Sequence, residues 1–209
     1  VYMDCESACF YEITNSLEAL DNVKIVQGDT LFLYGDYLFY DGNTQIAQVR
    51  YNVRMENKNT TLLTDSLNYD RIYNLGYYFD GGTLMDEENV LTSEWGEYSP
   101  ATKISVFNYD VKLVNPKFTL TSDTLRYSTA TKIANILGPS DIVSDANHIY
   151  SELGFYNTQI GQAELLDRSV LTNEGKRLIG DSLFYDRVKG YGEAFDNVIM
   201  TDTVNKNML

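Results

Sequence analysis

Residues 64–70 read TDSLNYD, and closely related heptapeptides recur along the chain. They are GDYLFYD at 35–41, SDTLRYS at 122–128 and GDSLFYD at 180–186. Their aspartates stand at positions 36, 65, 123 and 181, so neighbouring copies are separated by 29 residues or by twice that number. Weaker copies, SEWGEYS at 93–99 and SELGFYN at 151–157, fill the gaps. The chain is therefore an array of repeats with a 29-residue period.

Several positions of the repeat keep one kind of side chain. One column is always tyrosine: Tyr11, Tyr40, Tyr69, Tyr98, Tyr127, Tyr156 and Tyr185. Two columns are always apolar: Val26, Met55, Leu84, Leu113, Ile142, Leu171 and Met200, and Leu33, Leu62, Leu91, Leu120, Ile149 and Leu178. A fourth column is mostly small: Ala47, Gly76, Ser105, Ala134, Ala163 and Gly192. Apolar and polar residues alternate between turn formers, so each repeat reads as two strands and two turns.

The period fits two architectures, a parallel β-helix with one coil per repeat and an antiparallel array with two strands per repeat. Strands of about ten residues with tight turns favour the antiparallel form, because parallel neighbours need longer crossovers. No segment shows the 3.6-residue period of a helix. We therefore predict an all-β fold of about seven repeats. Pro139 falls inside a predicted strand, where we expect a bulge or a sheet edge.

The array continues without a linker, and no shift in composition marks a domain boundary. We therefore expect a single β-repeat domain over residues 1–209. The next acidic position of the motif would be residue 210, one past the last residue. The array is thus cut in mid-repeat, and we expect the chain to be a fragment of a longer protein.

Charge and composition exclude several classes of protein. Lys and Arg number 16 against 30 Asp and Glu, which gives a net charge of −14. Nucleic-acid binding needs a basic surface, so a nucleic-acid partner is not expected. A hydrophobic content of 44% is too high for a disordered acidic tail. The sequence contains no run of about 18 apolar residues, so it predicts no membrane-spanning helix.

Candidate reactive residues are few. On one extended strand, Cys5 and Cys9 would be about 13 Å apart, too far for a disulfide, and their spacing is not that of a metal site. His148 is the only histidine, so it supports neither a catalytic triad nor a typical metal site, and we expect it at the surface. We predict no catalytic residue, no metal site and no cofactor.

Two columns allow both a functional and a structural interpretation. The acidic column, Asp36, Asp65, Glu94, Asp123, Glu152 and Asp181, could hold calcium or hydrolyse glycosides. Carboxylates that accept backbone N–H bonds at a bend explain its regular recurrence better. The tyrosine column could stack on sugars, but a repeated aromatic more often packs between neighbouring repeats.

A second recurring segment resembles a known family. Residues 21–25 read DNVKI, 51–55 YNVRM and 196–200 DNVIM. Followed by the D-x-L-x-Y motif, these segments are similar to the OstA/LptA family of lipopolysaccharide-transport proteins, in which a GNV strand is followed by a turn and a D-x-L-x-Y strand. Asp or Tyr stands here where the family has Gly. The resemblance runs from about Leu17 to Met200.

The resemblance implies an elongated, open antiparallel β-jellyroll, the β-taco, in the periplasm of Gram-negative bacteria, with association to the outer membrane possible through its partners. Family members are not enzymes. They shield the acyl chains of lipopolysaccharide or lipid A in an apolar groove during outer-membrane assembly. They also join head to tail, or to other transport-bridge jellyrolls, through terminal strands.

Three functions compete on this basis. The first is a lipid conduit, whose groove would be lined by nine leucines: Leu33, Leu38, Leu62, Leu67, Leu91, Leu120, Leu125, Leu178 and Leu183. The second is a structural or adhesive β-repeat protein with a fully packed core. An enzyme has little support, since no unique acid, base or nucleophile stands out.

Overall fold

The computed structural model describes residues 1–202 and 207–208, with side chains for residues 1–202. Within these residues the chain forms strands joined by turns and bends, and no residue lies in a helix. Accordingly, this part of the chain contains no helix able to cross a membrane. The residues form two compact units, Val1–Phe107 and Asn108–Leu209. The all-β prediction is confirmed, whereas a single domain over residues 1–209 stays a prediction.

The strands are numbered in chain order. Those of the first unit are β1 Tyr2–Asp4, β2 Ser7–Tyr11, β3 Ser16–Gln27, β4 Leu31–Asp41, β5 Ile46–Asn57, β6 Thr60–Asp70, β7 Leu75–Tyr78, β8 Gly82–Asp86, β9 Asn89–Ser93 and β10 Trp95–Ser99. Strand β11, Ile104–Asn115, contains the unit boundary. Those of the second unit are β12 Phe118–Ser128, β13 Ile133–Ile136, β14 Ser140–Ser144, β15 Asn147–Ser151, β16 Leu153–Asn157, β17 Gln162–Leu166, β18 Val170–Asn173, β19 Lys176–Ile179, β20 Ser182–Asp186, β21 Tyr191–Phe195, β22 Ile199–Asp202 and β23 Asn207–Met208.

The first unit pairs its strands antiparallel in two ladders that share long strands. Strands β3, β4, β5 and β6 pair in sequence over nearly their full lengths. The two halves of β3 pair separately with β2 and β1, and the two halves of β6 pair separately with β7 and β8. One ladder then continues to β10 and the other to β9. This pairing excludes the parallel β-helix.

The second unit follows the same plan. Strand β12 pairs with β13 through one half and with β14 through the other. One ladder continues through β16, β17, β20 and β21. The other continues through β15, β18, β19, β22 and β23. Each repeat therefore contributes to both ladders. Some of its strands, such as β12, cross from one ladder to the other, and others are interrupted between the two ladders. The count of about seven repeats stays a prediction.

Corners form where two successive residues take the left-handed conformation. In β5 they are Tyr51 and Asn52, with φ of 63° and 52°, and together they face Asp65 of β6. Asp21–Asn22, Tyr109–Asp110, Asp167–Arg168 and Asp196–Asn197 have the same conformation. Two residues opposite one make a β-bulge, which bends and twists the strand. A left-handed residue also explains why the family pattern has glycine where this chain has Asp or Tyr.

The tyrosine column and the small column are cross-strand partners. Tyr127 lies opposite Ala134, which also faces Tyr156, and the alternation continues through Ala163 and Tyr185. The first unit repeats this pattern from Tyr40 through Ala47, Tyr69 and Gly76 to Tyr98. Five of these rings are at most 5% exposed: Tyr69, Tyr98, Tyr127, Tyr156 and Tyr185. A large ring beside a small residue fills each ladder without a clash.

The second ladder carries the aliphatic columns, and it faces the first across the interior. Leu120 lies opposite Ile142, which is followed by Ile149, Leu171 and Leu178. The ladders touch where the ring centroids of Phe118 and Tyr156 are 4.6 Å apart. A Cβ added to Gly192 would come within 2.6 Å of the Leu171 side chain. Side chains of the opposite ladder therefore limit the size of the residue that fits in the small column.

The residue after six of the seven column tyrosines caps the following turn with its side chain. Asp41 Oδ1 accepts hydrogen bonds from the backbone N–H groups of Asn43 and Thr44, at 2.8 and 3.4 Å. Equivalent side-chain caps occur at Asp70, Ser99, Ser128, Asn157 and Asp186. The Asn43 N–H bond is the main cause that lowers the pKa of Asp41. The last residue of the recurring motif is therefore a turn cap, as its Asp, Ser and Asn side chains permit.

Pro139 does not lie inside a strand, contrary to the prediction. It lies in the bend between β13 and β14, at the corner of the repeat, and its carbonyl accepts the Asp123 N–H at 3.3 Å. The sequence pattern predicted a strand there, with a bulge or a sheet edge at the proline. The corner breaks that strand, and proline is tolerated because no ladder bond from its nitrogen is needed.

Candidate functional site

An apolar cavity of about 190 Å³ lies between the two ladders of the first unit. Its walls come from Val1, from β1 and from β3 to β6, and their apolar residues include Met3, Leu17, Ile25, Leu31, Leu33, Leu38 and Met55. Leu33 and Leu38 are buried, whereas Leu17 and Ile25 are partly exposed. The cavity therefore reaches solvent along β3, while its far wall belongs to the packed core.

The cavity lies near the first members of the tyrosine column, which are less buried than the later ones. Tyr11, the first column tyrosine, is 44% exposed, and its hydroxyl donates to Glu18 Oε2 at 2.9 Å. Tyr40 is partly exposed and lies opposite Leu17 and Ala47. Tyr69, one repeat later, is 5% exposed. The interior is thus filled from Tyr69 onward within the first unit and incompletely filled before it.

Four side chains with polar groups complete the lining: Gln27, Tyr40, Tyr69 and Arg71. Arg71 Nη1 donates to the Tyr40 hydroxyl at 3.0 Å, and the guanidinium carbon lies 5.6 Å from the centre of the Tyr40 ring. Gln27 Nε2 donates to Asn74 Oδ1 at 3.3 Å. No aspartate or glutamate is among the residues that line the cavity. The site is therefore an apolar body with one charged side chain, that of Arg71, in its lining.

The nine predicted groove leucines divide into three groups. Leu33 and Leu38 line the cavity. Leu178 is partly exposed between Leu171 and Met200. The others are at most 2% exposed: Leu62, Leu67, Leu91, Leu120, Leu125 and Leu183. All nine belong to the interior ladders, and their role in lipid binding stays a prediction.

Acidic-column residues serve the corners in two of the repeats. Asp36 Oδ2 accepts the side-chain amide of Asn52 at 2.6 Å, and Asp181 Oδ2 accepts that of Asn197 at 2.5 Å. Each amide belongs to a left-handed corner residue. The predicted structural position at a bend is therefore confirmed for these two. Their hydrogen-bond partner differs from the prediction, because the side-chain amide takes the place of a backbone N–H group.

Other candidate residues do not assemble into a site. His148 is exposed on β15, and its Nε2 lies 2.6 Å from Asp141 Oδ1. Cys5 and Cys9 are free thiols. Over the residues that the structure describes, no group of His, Cys, Asp or Glu side chains is arranged to hold a metal ion. The buried column tyrosines also have no ring face open to a sugar.

The sequence analysis missed Arg71 and the position of the cavity. Arg71 follows the turn cap Asp70, and the corresponding residues in other repeats are Gly42, Pro100, Thr129, Thr158 and Arg187. A cation beside the repeat motif in a chain of net charge −14 was the available signal. Its location at a cavity depended on the packing of both ladders and was not readable from the motif.

Comparisons with known proteins agree with this fold. A family described as OstA-like protein matches residues 1–123. No curated protein matches the chain. Among solved structures, the chain is similar to LptH, "the LptA homologous periplasmic component of the conserved lipopolysaccharide transport device from Pseudomonas aeruginosa", with 14% identity and a TM-score of 0.51 over 56% of this chain and 98% of that chain. The likeness confirms the predicted antiparallel β-jellyroll. The family match covers more than half of the chain, which therefore belongs to the OstA-like protein family.

Proposed function

We propose that this protein is a non-enzymatic, periplasmic lipid carrier that shields acyl chains of lipopolysaccharide during outer-membrane assembly. The observation that carries the proposal is the apolar cavity between the ladders, whose wall includes the predicted groove residues Leu33 and Leu38. Membership of the OstA-like family and the structural likeness to LptH support the same proposal.

The size and lining of the cavity suit part of one acyl chain. An engineered apolar cavity of about 150 Å³ takes up benzene, and this cavity measures about 190 Å³. Each buried methylene contributes about 0.8 kcal/mol, so about six methylenes would contribute about 5 kcal/mol. Such binding needs no specific polar contact. Uptake farther along the interior, at Leu62 or Leu91, requires the two ladders to move apart, because both side chains are at most 2% exposed.

A structural or adhesive β-repeat protein is the second candidate. It is favoured by close packing in each unit, since Leu67 of the first unit and Leu120 and Leu125 of the second are fully buried. A packed ladder of this kind gives a stiff scaffold without any ligand. The two candidates differ in whether the cavity takes up lipid, which a binding measurement decides.

Filling the cavity should abolish lipid binding. Ile25 lines it and is partly exposed, so Ile25→Trp places an indole in the cavity with little disturbance of the fold. The expected result is that the parent protein binds lipid A or a fluorescent fatty acid, with affinity that rises about fourfold per added methylene until the cavity is full. Ile25→Trp should weaken that binding at least tenfold in a fluorescence titration.

Val26→Trp is the matched control. Val26 belongs to an apolar column by sequence, but the register of the first repeat is shifted by one residue, so that Ile25 pairs with the interior residue Leu33 and Val26 pairs with Phe32. Its side chain therefore leaves the opposite face of the strand, and the same added volume should leave binding unchanged. A parent protein with no detectable affinity for lipid A or for any fatty acid would refute the carrier and leave the structural candidate.

We propose further that the protein associates end to end, with copies of itself or with other bridge jellyrolls, through exposed strand edges. Among the described strands, β1 and β2 pair only with β3. Their large side chains Tyr2 and Phe10 are 63% and 65% exposed. Unpaired backbone groups at such an edge recruit further strands. Light scattering should detect linear species that lengthen with protein concentration, and a strict monomer at millimolar concentration would contradict the proposal.

A further inference from the structure

We infer that Arg71 anchors an anionic head group, a carboxylate or a phosphate, of the lipid whose acyl chain occupies the cavity. The inference rests on the proposed lipid-binding function and adds the chemistry of the head group to it. The apolar walls fit an acyl chain, and the guanidinium at their edge fits a carboxylate or a phosphate. Guanidinium recognises both anions through paired N–H groups.

The local charge distribution differs from that of the whole chain. The protein has 30 acidic and 16 basic residues, yet the cavity lining contains one arginine and no acid. The neighbouring carboxylate, Asp70, accepts the backbone N–H groups of Ile72 and Tyr73 at 2.8 and 3.1 Å. Within residues 1–202, no carboxylate lies at ion-pair distance from Arg71. Its charge is therefore available to an anionic ligand.

Arg71 is also held in place at the cavity. Its backbone N–H donates to the Gln45 carbonyl at 3.1 Å, and the Asp70 cap fixes the turn that follows. The side chain makes one hydrogen bond, to the Tyr40 hydroxyl, and stacks near that ring. A guanidinium has five N–H donors, so the others can reach a carboxylate or phosphate bidentately. A placed cation loses less entropy on binding than a mobile side chain would.

The chain contains an internal comparison for this arrangement. Arg187 Nε donates to the Tyr156 hydroxyl at 3.3 Å, the same pair of column positions in a later repeat. There the tyrosine is fully buried and the ladder is packed. The arginine–tyrosine contact alone is thus a structural feature of the repeat. The contact acquires a binding role where it borders the cavity, at Arg71 and Tyr40.

The test compares twelve-carbon ligands that differ only in the head group. Laurate and dodecyl phosphate are expected to bind the full chain at least tenfold more tightly than dodecanol, measured by calorimetry or by displacement of a fluorescent fatty acid. Arg71→Gln should remove that preference, so that the two anions bind this variant no more tightly than dodecanol does. Arg187→Gln, the matched control, should retain the preference. Thermal melting of both variants verifies that they fold.

The outcomes distinguish failure of the proposed lipid carrier from failure of the Arg71 anchor alone. If neither lipid A nor any of these ligands binds the parent protein, the proposed lipid carrier fails and the anchor fails with it. If lipid A binds but none of these ligands does, the anchor alone is wrong. If dodecanol binds as tightly as the two anions, or if Arg71→Gln keeps the preference, the anchor alone is wrong. A preference for dodecyl phosphate over laurate identifies a lipid phosphate as the head group, and the reverse identifies a free fatty acid. Both results support an anion site at Arg71.

Discussion

Replacement of Leu120 with Asp is expected to unfold at least the second unit of the protein. Leu120 is fully buried on β12 and lies opposite Ile142, in the ladder that continues to Ile149. An ionised carboxylate at this position would lose its hydration and gain no partner, which costs several kcal/mol. That cost is comparable to the whole stability of a typical domain, about 5–15 kcal/mol. Circular dichroism should show loss of the cooperative thermal transition.

Thr121→Asp is the matched control for this variant. Thr121 follows Leu120 on the same strand and is exposed, so the added charge stays in water. Repulsion from Asp141, its cross-strand partner, should lower the melting temperature far less than the buried charge does. Leu120→Ala should give an intermediate loss of about 2–5 kcal/mol in the free energy of unfolding. A folded Leu120→Asp protein with the parent's melting temperature would contradict the packed interior. Weakened lipid binding in such a protein would then favour a groove open along its length.

The repeat in the sequence carries much of the fold. Side chains in a strand alternate between two faces, so a strict 29-residue period places each column on the same face of successive repeats. The tyrosine column could then be recognised as a ladder before any pairing was known. Its partner, the small column, follows from the cross-strand register that joins Tyr127 to Ala134 and Ala134 to Tyr156. Antiparallel pairing could be predicted from the short turns, because parallel neighbours need longer connections.

Corners and caps were harder to predict from the sequence. Tyr51 and Asn52 bend β5 in the left-handed conformation, although tyrosine rarely adopts it. The sequence pattern therefore predicted an uninterrupted strand there, and at Pro139 it predicted a strand with a bulge or a sheet edge rather than a break between two strands. The surrounding ladders, with the hydrogen bond from Asn52 to Asp36, hold the corner in place. This is a case in which tertiary pairing overrides a local preference.

The cavity could be predicted only in part. The aliphatic columns identify Leu33 and Leu38 as interior residues, and both line it. The columns do not show whether facing ladders leave space, because that depends on the distance between them and on side chains from other repeats. Leu120 and Leu33 occupy the same column, yet one is in a packed core and the other borders a cavity. Arg71 was missed for the same reason.

Truncation of a column tyrosine should be nearly as damaging as the buried charge. Tyr127 lies on β12, is fully buried and is directly opposite Ala134 of β13. Tyr127→Ala removes a whole ring from the ladder, and its small neighbour cannot fill the space. The expected loss is about 3–5 kcal/mol in the free energy of unfolding, which combines lost burial with the cavity left behind. Urea denaturation followed by circular dichroism measures it as a lower midpoint.

Tyr11 provides the control because it belongs to the same column but is 44% exposed. Tyr11→Ala loses a surface ring and its hydrogen bond to Glu18, so its cost should stay below about 1 kcal/mol. Tyr127→Phe keeps the ring and separates the contribution of the hydroxyl from that of packing. A loss below 1 kcal/mol for Tyr127→Ala would mean that the ladder rings do not stabilise the fold. The tyrosine column would then be explained better by rings that face a ligand, although the burial of Tyr127 argues against that role.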